Sequence, residues 1–166
     1  MKTSLPDELK GIVYESVLLL GSLIKEQYGA DCYDQIERIR LSFKHVRDLT
    51  NEKLYEVLNH SYVELSNVSE ERLIKIAHVN ALMLELVNCC ESAYRVVTIK
   101  KKPVTVKPTD QQIIFVLTSH PTEARSKNFL LLVEKITDAL VRGVENDFSS
   151  IREELKFLLS LWTAVA

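Results

Sequence analysis

Ile113-Ile114-Phe115-Val116-Leu117-Thr118-Ser119-His120-Pro121-Thr122-Glu123-Ala124-Arg125-Ser126-Lys127 is the stretch on which the fold reading turns. Its first five residues are apolar, rich in β-branched and aromatic types, and too short for a buried helix. That pattern predicts a buried strand over 113–118. The strand ends in polar Thr118 and Ser119, and His120 follows, pinned by Pro121. Thr122 and Glu123 then open a long amphipathic helix. A strand that ends in polar groups and feeds a helix N-terminus is a recurrent location for chemistry in barrel and α/β folds.

His120 sits in that corner rather than on a helix face. Imidazole titrates near pH ~6.5 and can take or give a proton at neutral pH. The helix starting at Thr122 would aim free N–H groups into the same space, which makes an anion site. Arg125 and Lys127 add positive charge there. The same residues also fit a structural reading in which Thr122 only caps the helix and His120 packs. Ser119 beside His120 is not a catalytic dyad, because no third partner or oxyanion hole accompanies it. His45, His60 and His78 fall inside helical patterns and read as surface or core side chains. With no Cys-x-x-Cys or His-Glu-x-x-His spacing, no metal ligands are predicted in this chain.

Working outward, 166 residues suit one domain with a real core. Apolar residues are 46%, and Gly and Pro number only four each, so breakers are scarce and a mainly α protein is predicted. A net charge of −2 argues against nucleic acid or an anionic membrane as partner. Cys32, Cys89 and Cys90 read as reduced, buried thiols of a cytoplasmic protein; side chains at i and i+1 on a helix diverge, which disfavours a Cys89–Cys90 bridge. Pro6, Asp7 and Glu8 precede the first apolar stretch, the wrong order for a signal peptide. The chain is read as soluble.

The spacing predicts about six helices. Ser4 is a candidate cap for the first, which carries Leu9, Ile12, Val13, Val17, Leu20, Leu23 and Ile24 and ends at Gly29. A second starts near Asp31 with Ile36, Ile39, Phe43 and Val46 inward. A third, Thr50 to Ser66, buries Leu54, Val57, Leu58, Tyr62 and Leu65. The fourth follows Ser69, with Leu73, Ile76, Ala77, Asn80, Leu84, Val87, Cys90, Tyr94 and Val97 as its inner stripe. Lys100, Lys101, Lys102 and Lys107 with Pro103 and Pro108 then read as an extended basic connector, a solvated linker more readily than a phosphate site. The fifth helix runs from about Glu123 to Arg142 and is stopped by Gly143. Ser150 and Glu153 predict a capping box for the sixth, whose stripe is Ile151, Leu155, Leu158, Leu159, Trp162 and Val165. The resulting division is a helical region 1–98, a connector 99–112, and 113–166 with the strand, the histidine loop and the last helices. The sixth helix is still periodic at Ala166, which reads as part of a longer protein with one apolar face waiting to be covered.

At the corner the sequence resembles the phosphoenolpyruvate carboxylases, whose hallmark is an apolar strand running into Leu-Thr-Ala-His-Pro-Thr followed by Glu or Gln. Leu117-Thr118-Ser119-His120-Pro121-Thr122-Glu123 matches everywhere except Ser119. Upstream, Leu20-Gly21-Ser22-Leu23-Ile24 and Ile36-Glu37-Arg38-Ile39-Arg40 are similar to the family's N-terminal helices. Leu82 to Arg95, with Asn88 and Glu91, resembles the helix before its basic segment. The resemblance implies carboxylation of phosphoenolpyruvate by bicarbonate, with Mg2+ or Mn2+ held outside this chain and His120 serving the carboxylation half. It also implies that 113–118 is the first strand of a (β/α)8 barrel and that the helices are its elaboration. Ser126 and Lys127 stand where the family has two consecutive arginines, with Arg125 one position earlier; Lys lacks the planar fork of Arg. The family's Gly-rich Phe-His-Gly-Arg-Gly-Gly loop and acidic metal ligands are absent, and one strand cannot close a barrel. The chain alone is therefore expected to be inactive, to need the remainder of the same polypeptide, and to self-associate. A stand-alone helical interaction module derived from the family is the alternative.

Overall fold

The computed structural model describes residues 5–44, 46, 49–101 and 126–165. They form α1 (Asp7–Tyr28), α2 (Ala30–Lys44), α3 (Asn51–Ser66), α4 (Glu70–Lys101), α5 (Lys127–Glu145), a 3-10 turn (Phe148–Ile151) and α6 (Arg152–Val165). The mainly α class holds, with six helices and no strand among the described residues. The predicted strand 113–118 lies outside them.

Four helices make a bundle in the ring order α1, α4, α5, α6. Side-chain pairs fix their directions. The Tyr28 hydroxyl meets His78 Nδ1 at 3.4 Å while Lys101 lies 3.8 Å from Glu8, so α1 and α4 are antiparallel. Lys100 pairs with Glu145 at 3.1 Å, bringing together the C-terminal ends of α4 and α5, which run parallel. Arg142 pairs with Glu154 at 2.6 Å across the antiparallel α5–α6 hairpin. Arg152–Glu15 at 3.2 Å and Gln27–Thr163 at 2.8 Å set α6 parallel to α1. These ion pairs are exposed, and each contributes only about 0–1 kcal/mol; they report register more than stability.

Stability comes from the core between the helices. Leu20 and Ile24 of α1, Leu86, Cys90 and Ala93 of α4, Ile136 and Leu140 of α5, and Leu155, Leu159 and Trp162 of α6 are at most 2% exposed. Their spacing of three and four residues is what puts one face of each helix inward. Gly29 closes α1 at φ 85°, a conformation that favours glycine, with its N–H donating to the Lys25 carbonyl. α2 is then held on the start of α4, where Arg72 donates to the Gln35 side chain at 2.6 Å and to the Asp31 carbonyl at 2.7 Å. α3 leans on α2 through Arg38–Glu64 at 3.2 Å, and Ser61 is its buried residue.

Several expectations are corrected. The N-cap of α1 is Pro6, not Ser4, because α1 starts at Asp7 with the Lys10 N–H donating to the Pro6 carbonyl. The stripe predicted inward on α3 is only partly covered: Leu54, Val57 and Leu65 are half-buried, whereas Leu58 is 46% and Tyr62 71% exposed, and α2 is the helix it packs against most among the described residues. On α4 the inner face is Ile76, Val79, Leu82, Leu86, Cys89, Cys90, Ala93 and Val97, whereas Ala77 and Leu84 face outward. Apolar residues surround α4, so periodicity could not choose the side. Lys100 and Lys101 belong to the last turn of α4 rather than to a connector. The apolar stripe of α6 is not waiting for a neighbour: Ile151, Leu155, Leu158, Leu159 and Trp162 are all buried within the bundle.

Gly143 does not stop α5. It is buried inside the last turns, and a Cβ there would lie 2.7 Å from Ile151 Cδ1 and 3.1 Å from its Cγ1. The glycine exists for the close approach of the 3-10 turn. Ser150 likewise makes no capping box; its hydroxyl donates to the Asp147 carbonyl inside that turn, and α6 begins only at Arg152. Gly143→Val is expected to destabilise the bundle by about 1–3 kcal/mol through overpacking against Ile151, read as a lower urea midpoint with an unchanged slope.

Candidate functional site

Of the residues assigned to the corner from sequence, His120, Thr122 and Arg125 lie outside the described residues, and Lys127 lies inside. Lys127 is the first residue of α5 and is exposed. The helix does not run in continuously from Glu123. Ser126 is its N-cap, extended at φ −61° and ψ 147°, and its hydroxyl accepts from the Phe129 N–H at 3.2 Å. An α-helix begins with N–H groups that have no partner in the helix; Ser126 satisfies one of them. The free end of the dipole is therefore at Lys127, beyond the Thr122–Glu123 start read from sequence. No acidic side chain occupies the first turn of α5, so within that turn no carboxylate offsets Lys127 or the helix dipole.

Packing fixes where that helix end stands. The Phe129 ring meets Trp162 with centroids 5.7 Å apart and planes tilted by 49°, and Trp162 is fully buried. Tilted aromatic pairs contribute about 0.5–1.5 kcal/mol beyond area burial. The last helix thus holds the first turn of α5, one turn beyond Ser126.

The other titratable groups behave as structure. Lys100 and Lys101 are matched with Glu145 and Glu8, which leaves them poor candidates for a phosphate site. Cys32, Cys89 and Cys90 are buried and unbridged, and burial pushes the Cys90 thiol up to about 11; such a thiol stays protonated and unreactive. His60 is exposed on α3. His78 is half-buried, its Nε2 has no partner, and burial lowers its pKa. Among the described residues no group of three or more His, Cys, Asp and Glu could hold a metal ion. A shallow groove of about 360 Å³ opens between α1 and the α5–α6 corner, lined by Glu8, Ile12, Glu15, Val144, Asp147 and Phe148. Its lining carries no cationic side chain, so it offers nothing to bind phosphate or carbonate.

Comparison with known proteins decides the family. The phosphoenolpyruvate carboxylase family model matches residues 14–111, which is most of the chain. The chain belongs to the phosphoenolpyruvate carboxylase family. The match takes in the Leu20–Ile24, Ile36–Arg40 and Leu82–Arg95 segments and ends before Leu117–Glu123. A phosphoenolpyruvate carboxylase of Marinobacter nauticus is 30% identical over 96% of this chain and 21% of its own length. Those of Pseudomonas paraeruginosa and Tolumonas auensis are 26% and 28% identical, over 80% and 68% of this chain and 17% and 15% of theirs. No solved structure matches. The chain thus spans about a fifth of the carboxylases it matches. The Ser126 hydroxyl is in use as a cap, a role that an arginine side chain does not supply.

Two outcomes follow. Ser126→Ala should cost about 1 kcal/mol by removing the cap, seen in chemical denaturation. For His78 the lowered pKa means that the folded chain binds fewer protons than the unfolded one as the pH falls through the ordinary imidazole range. Its contribution is intact above pH ~6.5 and is lost below it. Thermal melts of the chain should therefore drop from pH 7.5 towards 5.5, and His78→Phe should flatten that drop.

Proposed function

We propose that the chain is the N-terminal part of a phosphoenolpyruvate carboxylase, in which His120 serves the carboxylation half of the reaction. Family membership carries the reading, together with the Leu117-Thr118-Ser119-His120-Pro121-Thr122-Glu123 sequence. In this scheme a bicarbonate oxygen attacks the phosphoryl group of phosphoenolpyruvate. The ester P–O bond breaks, leaving carboxyphosphate and the enolate of pyruvate. Carboxyphosphate then releases carbon dioxide and phosphate, and the enolate carbon attacks carbon dioxide to give oxaloacetate.

Phosphate, carbonate and enolate are all anions, which suits an imidazole placed among helix N–H groups and cationic side chains. Thr122, Arg125 and Lys127 are the anion-binding candidates of this chain. Mg2+ or Mn2+, held by residues outside it, would supply charge stabilisation for the enolate and phosphate. The proposed parent is a cytoplasmic lyase of the (β/α)8 type, with 113–118 as its first strand and the remaining strands in the rest of the polypeptide. The isolated chain lacks those parts and should not turn over.

A specific observation favours a second reading, a non-catalytic helical module derived from the family. The core of the described residues closes on itself, with the α6 stripe buried. The readings separate in a coupled assay for oxaloacetate with bicarbonate and phosphoenolpyruvate. In a full-length carboxylase carrying this chain, His120→Asn should lower turnover by about 10²-fold or more. Unchanged oxaloacetate formation would remove His120 from the mechanism, and a full-length protein with no activity at all would leave the module reading.

A further inference from the structure

The groove between α1 and the α5–α6 corner pairs an apolar lining with a surplus of negative charge. Ile12, Val144 and Phe148 supply the apolar part, and Glu8, Glu15 and Asp147 add three carboxylates with no cationic side chain among the lining residues. Gly11 lies on the α1 wall. A glycine inside a helix weakens it relative to alanine, and it is useful where the backbone turns left-handed or another group must come close. Among the described residues neither need exists at Gly11. Gly29 is the glycine with positive φ, and no atom stands within 4 Å of where a Cβ on Gly11 would be. The missing side chain leaves a strip of bare backbone in the wall of the groove.

The chain leaves α4 at this same place. Lys101, the last residue of α4, lies 3.8 Å from Glu8 on the α1 wall, and Lys100 pairs at 3.1 Å with Glu145, next to Val144 on the other wall. The residues that follow, outside those described, are Lys102-Pro103-Val104-Thr105-Val106-Lys107, two valines between two lysines. Pro103 disfavours a continued helix. Cations at both ends match the carboxylates of the groove, and the valines match its apolar lining. Length fits as well: from Glu8 to Glu15 α1 rises about 10 Å, and an extended run of this length reaches roughly 20 Å.

We infer that the groove seats residues 102–107 in extended form, with the valine side chains on the apolar lining and the backbone passing over Gly11. Seated there, the segment fixes the point from which the chain sets out towards Leu117. A basic peptide of another protein has similar chemistry, but α4 delivers Lys102 to the groove mouth, which gives the chain's own segment the higher effective concentration. The inference stands apart from the carboxylase reading.

Hydrogen exchange of the 166-residue chain, with Gly11→Trp beside it, tests the docking. The amides of Val104, Thr105 and Val106 should exchange about tenfold or more slowly than in a free peptide of residues 102–107, and Gly11→Trp should abolish that protection. Gly11 is exposed and its replacement favours the helix, so circular dichroism should show both chains equally folded. A fluorescently labelled peptide of residues 102–108 should bind a chain carrying Val104→Glu and Val106→Glu more tightly than it binds the parent chain, whose own segment competes. Amides 104–106 that exchange at the free-peptide rate, or protection that survives Gly11→Trp, would overturn the docking. Labelled peptide taken up equally by the parent chain would also overturn it, and would leave the groove to a partner's basic segment.

Discussion

Leu86, Cys90 and Ala93 of α4 are completely cut off from solvent where that helix meets α1 and α5, and the bundle hangs on this seam. Cys90 and Ala93 are small, so the helix axes can approach, and Leu86 fills the space that remains. Ser16 of α1 lies beside Cys90 and is also fully buried, so its hydroxyl faces the Cys90 thiol inside the seam. A thiol is a weak hydrogen-bonding partner, and the surrounding apolar contacts carry most of the stability of this seam. Loss of packing here would separate α1 from α4 and α5 together, because α4 is the neighbour they share.

Local signals were readable where one residue settles the backbone. Gly29 ends α1 because its φ is positive, and α3 begins immediately after Thr50. The amphipathic faces of α1, α5 and α6 were readable from spacing because each has a polar side to contrast with. α4 was not, since periodicity names a buried face only when the opposite one is polar. Gly143 and Ser150 were misread for a different reason. Both have residue types that commonly end or start helices, yet Gly143 is used to admit Ile151 and Ser150 to bond the Asp147 carbonyl, both at a 3-10 turn that the spacing did not foresee. The corner motif was legible as sequence; of its candidates, only Lys127 can be placed, and it stands one residue past the serine cap.

That cap joins two requirements at one place. The Ser126 hydroxyl closes the N-terminus of α5. Phe129 on the same turn is held by Trp162. The N-terminal end of α5 is therefore organised from inside the bundle. That end carries the Lys127 cation and has no acidic side chain in its first turn.

The parallel pairing of α1 with α6 has a consequence for the order in which the protein can be made. Glu15 reaches Arg152, and Gln27 reaches Thr163, so α1 has its partner in a helix synthesised more than 130 residues later. At about 5–20 residues per second, a ribosome needs roughly ten seconds to travel that distance. For that interval the side of α1 that α6 will cover has no permanent neighbour, while α4 can already shield another side. The nascent chain passes through a stage in which α1, α2 and α4 are together and one apolar seam is still open. Final closure waits for Trp162 to leave the exit tunnel.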